Sequence, residues 1–488
     1  MHHHRSIPEA LAQAIDLHRD RPILRDRDGA VTFGALSDIA DGIACGLRGA
    51  GVGAGDRVLL SMTASRWTWA AFWAIWKIGA VPVAIGDLGG DQLVATIRRA
   101  EARAHLMNAD RVERIVAAYA AGGLVRVPLF ADGPCADGAA NLRALPPGPV
   151  ARHDADPEAV ASIVFSSGTT GLPKGIVHTH RSLLAAAANT SAAFGLNPGD
   201  PVLSVNQIYH VWSQVAVILT GSLTGAFTVL TAFAYPETLH LLAQERCVLM
   251  HAPPPTLSAL AACNIRDYDL GALRRIVTGG APANVGAIRR ITDLHPQIMV
   301  RNGYGCSEYI LASMDPPEAP QTPAGASGHV VPGVEVRIVN PDETGSGEIA
   351  VRAPSMMQGY LDDPETTRRS FADGYFLTGD LGRFEDGQLL VSGRLKDIVI
   401  VNGENVVPSE VEMAANTFPG VVKSAAYGMP HPSTGEAIRI KVVPAPGVEI
   451  DRVALLGHFR ANLSRNKVPR AVEFVEAIAE TATGKIIR

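Results

Sequence analysis

Cysteine is scarce here and poorly placed for cross-linking. Five cysteines in 488 residues, at 45, 135, 247, 263 and 306, include no C-x-x-C pair. That excludes a disulfide framework and a cysteine-built zinc site, and fits a reduced, cytoplasmic compartment. Charge is also sparse: 19% of residues are Asp, Glu, Lys or Arg, and the net charge is −5. An acidic balance excludes nucleic acid as the main partner, because phosphate backbones demand a basic surface. The opening "MHHHRSIPEALAQAIDLHRD" lacks an apolar core segment, so no secretory signal is read there. No repeat or low-complexity tract is present. One uncharged stretch, "VAVILTGSLTGAFTVLTAFA" at 215–234, has membrane-spanning length. Its two internal glycines and four threonines fit a buried helix, a turn and a strand instead, so no stable membrane insertion is expected.

What is present is a large apolar fraction, 47%, enough for an extensive core and more than one domain. Short β-like runs alternate with helical stretches, which places the chain in the α/β class. "RVLLSM" reads as a strand, and "SRWTWAAFWAIWKIGA" as a helix with Trp69, Trp73 and Trp76 at helical spacing. Those tryptophans are read as a core-facing stripe, not an aromatic cofactor box. "AVASIVF", "DPVLSV", "RRIVTG" and "QIMVRNGYG" are further strands, and residues 142–158, "LRALPPGPVARHDADPE", read as a surface linker. From Gly328 the texture changes to short alternating strands, "VEVRIV", "GEIAVRA" and "GQLLVSG". A hinge near Lys396 divides a large domain, 1–395, from a small α+β domain, 396–488.

The strand "AVASIVF" delivers the chain into "SSGTTGLPKG", residues 166–175. Glycines let backbone N–H groups approach a ligand, hydroxyls add donors and Lys174 adds charge, so an anion such as a phosphate chain suits this loop. It lacks the nucleotide pattern G-x-x-x-x-G-K-[ST]: the second glycine position is Pro173, and Gly175 follows the lysine. An ordinary P-loop ATPase is therefore disfavoured. "TGGAP" (278–282) offers bare backbone for a flat ring. "NGYGCSE" (302–308) combines an aromatic face, a hydroxyl and a carboxylate able to hold Mg²⁺. In "YFLTGDLG", Asp380 could accept from two ribose hydroxyls. Arg394 in "GRLKD" is a planar donor for phosphate or ribose oxygens, and Lys485 sits in "TATGKIIR". Taken singly each has a bland alternative. Gly-Tyr-Gly and Thr-Gly-Asp are common turns, Arg394 suits a surface ion pair, a terminal lysine is solvated, and His210 suits a satisfied core histidine. Their occurrence together, in this order, carries the weight.

In that order the motifs resemble the adenylate-forming superfamily: acyl- and aryl-CoA synthetases, peptide-synthetase adenylation domains and firefly luciferase. The resemblance spans almost the whole chain. It implies a large N-terminal domain of several α/β sheets with a small β-rich part, followed by a small mobile α+β C-terminal domain. It implies ATP, Mg²⁺ and coenzyme A as cofactor and cosubstrates, with a small carboxylic acid as substrate. By the same resemblance Ser166, Ser167, Gly168, Thr169, Thr170, Gly171 and Lys174 clasp the phosphates. Gly279, Gly280, Ala281, Pro282 and Tyr304 build the adenine slot, and Asn302, Gly303 and Gly305 are further ATP/AMP-binding positions. Ser307 touches phosphate, Glu308 and Thr170 serve the metal, Asp380 and Arg394 serve the ribose, and Lys485 bridges carboxylate and α-phosphate. Lys485, Thr170, Lys174, Glu308 and His210 are the implied catalytic set. Lys396 is the hinge, and Gly403 in "NGEN" faces a pantetheine tunnel. His210, Trp212, Ala216 and Gly305 line the acid pocket.

Three departures matter. Near the lysine, "IAETATGK" has Ala479 and Glu480 where the family usually has proline and a basic residue, so a less rigid and less positive loop is expected. The stretch "QIYHVWSQVAV" supplies no Asp to meet an α-amino group, and the His-Asn-Tyr pattern of siderophore aryl-acid activators is absent. An apolar pocket for an aromatic, alicyclic or medium-length acid is expected. No carrier-protein domain is read after the lysine motif. Two other functions stay open at this stage. One is an enzyme that stops at the adenylate or passes it to a separate acyl carrier protein, and the other is a silent ligand-binding relative. Retention of Lys485, Glu308 and Asp380 speaks against the latter.

Overall fold

A computed structural model describes residues 5–135, 138–166, 174–281, 284–323, 325–445, 447–479 and 486. The chain packs into two units. The first holds residues 1–251 with the short segments 306–311 and 353–369; the second holds 252–305, 312–352 and 370–488.

In the first unit an eight-stranded sheet runs in the order Gly359–Tyr360, Lys174–Thr179, Val160–Ser166, Val81–Ala84, Arg57–Ser61, Ala104–Met107, Leu129–Ala131, Ala140–Asn141. From Val160–Ser166 onward the pairings are parallel. Strands such as Val81–Ala84 and Ala104–Met107 are buried at every position, as parallel strands covered on both faces are. At the other end Val160–Ser166 turns back antiparallel into Lys174–Thr179, which pairs antiparallel with Gly359–Tyr360. A second run of strands in this unit has Pro201–Ser204 between Leu249–His251 and Phe227–Leu230, with Pro22–Asp26 and Gly29–Thr32 beyond.

The tryptophan stripe is core. The helix Arg66–Lys77 starts at Ser65, whose hydroxyl accepts from the Thr68 N–H, and buries Trp69, Trp73 and Trp76. The Trp76 indole N–H donates to the Ala161 carbonyl at 2.7 Å, which fastens the helix to the strand leading into the glycine-rich loop. The apolar stretch 215–234 breaks up as expected, into the helical run Ser213–Leu219–Thr224, a left-handed Gly225 and the strand Phe227–Leu230. Among the described residues no helix is long and apolar enough to cross a membrane.

The segment 142–158 runs mostly at the surface, as expected of a linker, but is anchored in places. Leu142 and Ala155 are buried, and Leu145 lies against the helix Phe33–Gly49. The cause is a notch: a Cβ at Gly42 would stand 2.8 Å from the Leu145 carbonyl oxygen, and one at Gly46 2.8 Å from its Cδ1. Two glycines one turn apart let the segment lie flat on the helix, a signal present in the sequence.

In the second unit Arg275–Gly279 pairs parallel with Met299–Gly303. An antiparallel five-stranded sheet contains Glu335–Val339, Gly347–Arg352, Tyr375–Glu385, Phe371–Ala372 and Gln388–Arg394, the β-rich part expected after Gly328. A last five-stranded sheet, centred on Val421–His431 and Gly435–Pro444, is packed with the helices Pro408–Asn416 and Arg452–Asn462 around Val411, Ile440, Leu455 and Phe459. The α/β architecture, with its β-rich part and C-terminal α+β sheet, is present.

Trp76→Ala removes a large side chain with no exposed surface together with its anchor to Ala161. A loss of about 3–5 kcal/mol of unfolding free energy is expected, readable by urea denaturation, and a loss below 1 kcal/mol would contradict this role.

Candidate active site

Alternation along Lys174–Thr179 puts Lys174, Ile176 and His178 on one face of the sheet. Tyr360 pairs directly with Ile176 and so joins that face, diagonal to Lys174. The Lys174 ammonium lies 4.9 Å from the Tyr360 ring centroid, and the Tyr360 hydroxyl donates to Glu308 Oε1 at 3.0 Å. The segment carrying Ser307 and Glu308 is thereby docked on the strand pair. His178 Nε2–H donates to the Ser307 carbonyl at 2.7 Å, and the Glu308 carbonyl accepts from the Met357 N–H at 2.7 Å. Two residues on, Ile310 holds φ at +69°, a left-handed conformation that a β-branched residue adopts only under strain.

His178 is fully buried, and burial pushes its pKa down to about 4 against the opposing pull of Ser307 and Glu308. The ring is therefore neutral near pH 7: Nε2 carries the proton, and Nδ1 faces the Ser182 hydroxyl at 3.2 Å. Lys174 and Glu308 were expected from the sequence. His178 and Tyr360 were not, although "VHTH" and "GYLDDPETT" are both legible once the pairing of 359–360 with 176–177 is known.

The acid-pocket candidates His210, Trp212 and Ala216 lie at the start of an unusual helix. Ser213–Leu219 is a π-helix, with hydrogen bonds one residue longer than in an α-helix. His210 is half-buried, not a sealed core histidine, with its ring 4.3 Å from that of Tyr209. Trp212 stands edge-on to Phe194 at 6.1 Å, and Ala216 is buried. Gln214 accepts from the Ser162 hydroxyl at 2.7 Å, tying this helix to the strand that enters the glycine-rich loop. Ser166 pairs with Lys174 at the mouth of that loop. Ser167, Gly168, Thr169, Thr170 and Gly171 lie outside the described residues, as do Pro282, Glu480 and Lys485.

The second unit gathers the other expected group. The Tyr304 hydroxyl donates to Asp380 Oδ2 at 2.9 Å, and Arg394 Nε contacts Asp380 Oδ1 at 3.0 Å. Asp380 pairs with Arg394 across neighbouring strands, which is why they meet. Tyr304 and Asp380 are both buried. Gly279 and Gly303 are register partners, and a Cβ on Gly279 would stand 2.6 Å from the Gly303 carbonyl oxygen. No side chain fits there, so a bare backbone floor ends beside Gly280, Ala281 and Tyr304. Asn302 donates to the Ala326 carbonyl at 3.3 Å, and Gly305 follows Tyr304 in this unit. Lys396 sits in the short turn Leu395–Asp397. Gly403, with φ at +81° after Asn402 at +54°, makes the tip of a two-residue hairpin between Val399–Val401 and Glu404–Val406.

No group of three or more His, Cys, Asp or Glu able to hold a metal ion occurs among the described residues. A single carboxylate, Glu308, suits a hard ion that takes most of its remaining ligands from phosphate and water, as Mg²⁺ does.

Lowering the pH from 6.5 to about 4 protonates the unfolded chain at His178 before the folded one. Its contribution to stability is therefore present above pH 6.5 and lost as the pH falls towards 4. Thermal unfolding from pH 7 to 4 should show a shallower acid slope for His178→Gln than for the unaltered chain. Parallel curves would contradict the assignment. His178→Leu strands the Ser307 carbonyl and should lower stability by about 1–3 kcal/mol.

Comparison with known proteins identifies the family. The family model for AMP-binding enzymes matches residues 11–361, and that for the AMP-binding enzyme C-terminal domain matches 410–485. A 3-[(3aS,4S,7aS)-7a-methyl-1,5-dioxo-octahydro-1H-inden-4-yl]propanoyl:CoA ligase of Mycobacterium tuberculosis is 32% identical, over 99% of this chain and 97% of that protein. A feruloyl-CoA synthase of Amycolatopsis is 33% identical, over 94% and 93%. The crystal structure of ATP-bound MatB from Rhodopseudomonas palustris superposes with a TM-score of 0.88 at 26% identity, covering 98% of this chain and 97% of that one. The chain belongs to the adenylate-forming superfamily of AMP-binding enzymes, in its acyl- and aryl-CoA ligase branch.

Proposed function

We propose that this enzyme joins a ring-bearing or medium-length carboxylic acid to coenzyme A in two steps. In the first, a carboxylate oxygen attacks the α-phosphorus of ATP, forming the acyl-adenylate and breaking the bond to pyrophosphate. In the second, the thiolate of coenzyme A attacks the acyl carbon and AMP leaves. The observation that carries the nucleotide half is the cluster of Tyr304, Asp380 and Arg394. One aromatic face, one buried carboxylate and one guanidinium meet beside a side-chain-free backbone floor. A carboxylate accepts through two oxygens, which suits the vicinal hydroxyls of a ribose. The CoA-ligase names of relatives aligned along nearly the whole chain support thioester formation.

Attack of one anion on another needs positive charge in place beforehand. Lys174 supplies it at the phosphates and Lys485 at the reacting carboxylate. Glu308 and Thr170 would hold Mg²⁺, which supplies charge neutralisation on the phosphate oxygens when bound. His210, Trp212 and Ala216 line the wall that receives the acid. The bulky bicyclic and cinnamic acyl groups in the relatives' names favour a substrate of similar shape. Residues 1–395 and 396–488 act as the two domains, with Lys396 as the hinge. Rotation there withdraws Lys485 and presents Gly403 to the incoming pantetheine. A glycine at the exposed tip of a tight hairpin leaves room for that thin chain.

Acid-dependent pyrophosphate release followed by CoA-dependent AMP release, over a panel of aromatic and alicyclic acids, tests both steps. Lys485→Ala should slow pyrophosphate release about a hundredfold, with ATP binding retained. An unchanged rate would refute the mechanism.

A further inference from the structure

The phenol of Tyr360 occupies a place that the two-step chemistry leaves unexplained. On one side its ring receives the Lys174 ammonium, 4.9 Å from the centroid; on the other its hydroxyl donates to Glu308 Oε1 at 3.0 Å. Lys174 and Glu308 carry opposite charge and face the same strand pair, yet no ion pair joins them among the described residues. Direct contact would neutralise both groups. The ammonium would be spent on a carboxylate, and the carboxylate oxygens would be closed to a metal. A neutral aromatic ring satisfies each of them without cancelling either: its face is electron-rich towards the cation, and its hydroxyl is a donor towards the anion.

Position and backbone make this placement firm. Tyr360 pairs with Ile176, two residues along from Lys174, and its N–H donates to the Thr367 hydroxyl at 2.9 Å. The adjacent Leu361 N–H donates to the Gly175 carbonyl at 2.7 Å. On the opposite side, His178 and Met357 hold the backbone of Ser307 and Glu308. Glu308 thus approaches from a segment fixed at two carbonyls, and its carboxylate meets the phenol.

Resting on the adenylation function given above, we propose that Tyr360 is a positioning residue that keeps Lys174 and Glu308 apart. Its ring holds the lysine ready for phosphate, and its hydroxyl orients the glutamate for the divalent ion. The two roles reside in different parts of one side chain, so they separate on substitution. Tyr360→Phe keeps the ring and removes only the hydroxyl; Tyr360→Leu removes both.

The test uses the full-length protein with ATP and no carboxylic acid, so that no turnover occurs. Titration calorimetry reads ATP binding without metal, and electron paramagnetic resonance reads Mn²⁺ binding to the ATP complex. For Tyr360→Phe, ATP affinity without metal should stay within about twofold, while Mn²⁺ affinity should fall about tenfold, the usual effect of removing a partner that orients a metal ligand. For Tyr360→Leu both affinities should fall. Unaltered Mn²⁺ affinity in Tyr360→Phe overturns the role of Tyr360, whatever the leucine variant does. Should the leucine variant fail to fold, the phenylalanine variant decides alone. An unaltered chain that forms no ATP–Mn²⁺ complex overturns the adenylation reading and this one together. A chain that forms the complex, with variants identical to it, overturns only the role of Tyr360.

Discussion

A buried carboxylate flanked by a phenol and a guanidinium, Asp380 with Tyr304 and Arg394, is the interaction on which the second unit's site depends. A buried charge is tolerable only when hydrogen-bonded and paired. Here the strand pairing that aligns Asp380 with Arg394 provides the pair, and Tyr304 provides the donor. The same bond fixes the tilt of the Tyr304 ring, and so sets the angle at which a flat ligand can lie against it. The pose of that ring and the stability of the site are one arrangement.

The first unit meets a different constraint. It must hold a cation and an anion close together without letting them combine. Its answer is built from sheet geometry: alternation puts Lys174 and His178 on one face, and the short strand Gly359–Tyr360 adds a phenol to it. Neutral groups do the holding. His178 is kept uncharged by burial, and Tyr360 holds both partners through a ring face and a hydroxyl.

Much of this was legible in the sequence, for identifiable reasons. Lys174, Tyr304, Glu308, Asp380 and Arg394 lie in or beside glycine-punctuated motifs, where turn chemistry makes a polar residue stand out. The tryptophan stripe declared itself by helical spacing. Tyr360 and His178 escaped because each lies in ordinary strand-like sequence and gains its role only from a partner far along the chain: Ser307 is 129 residues from His178, and Glu308 52 from Tyr360. The anchoring of the surface segment 142–158 went unread because its anchor is an absence, the missing side chains of Gly42 and Gly46 on another element. Local pattern finds residues that announce a turn; it does not find those that answer a distant neighbour.

The π-helix at Ser213–Leu219 carries one more residue in its turn than an α-helix would. Each residue of an α-helix advances the chain by about 100°, so losing that single extra residue would swing the side chains beyond it by more than a quarter of a circle. Ala216 and the groups around it would then face elsewhere, with no change in their identity. The contour of the wall this helix builds is therefore open to revision by insertion and deletion, a coarser instrument than point replacement and one that reshapes a whole surface in a single step.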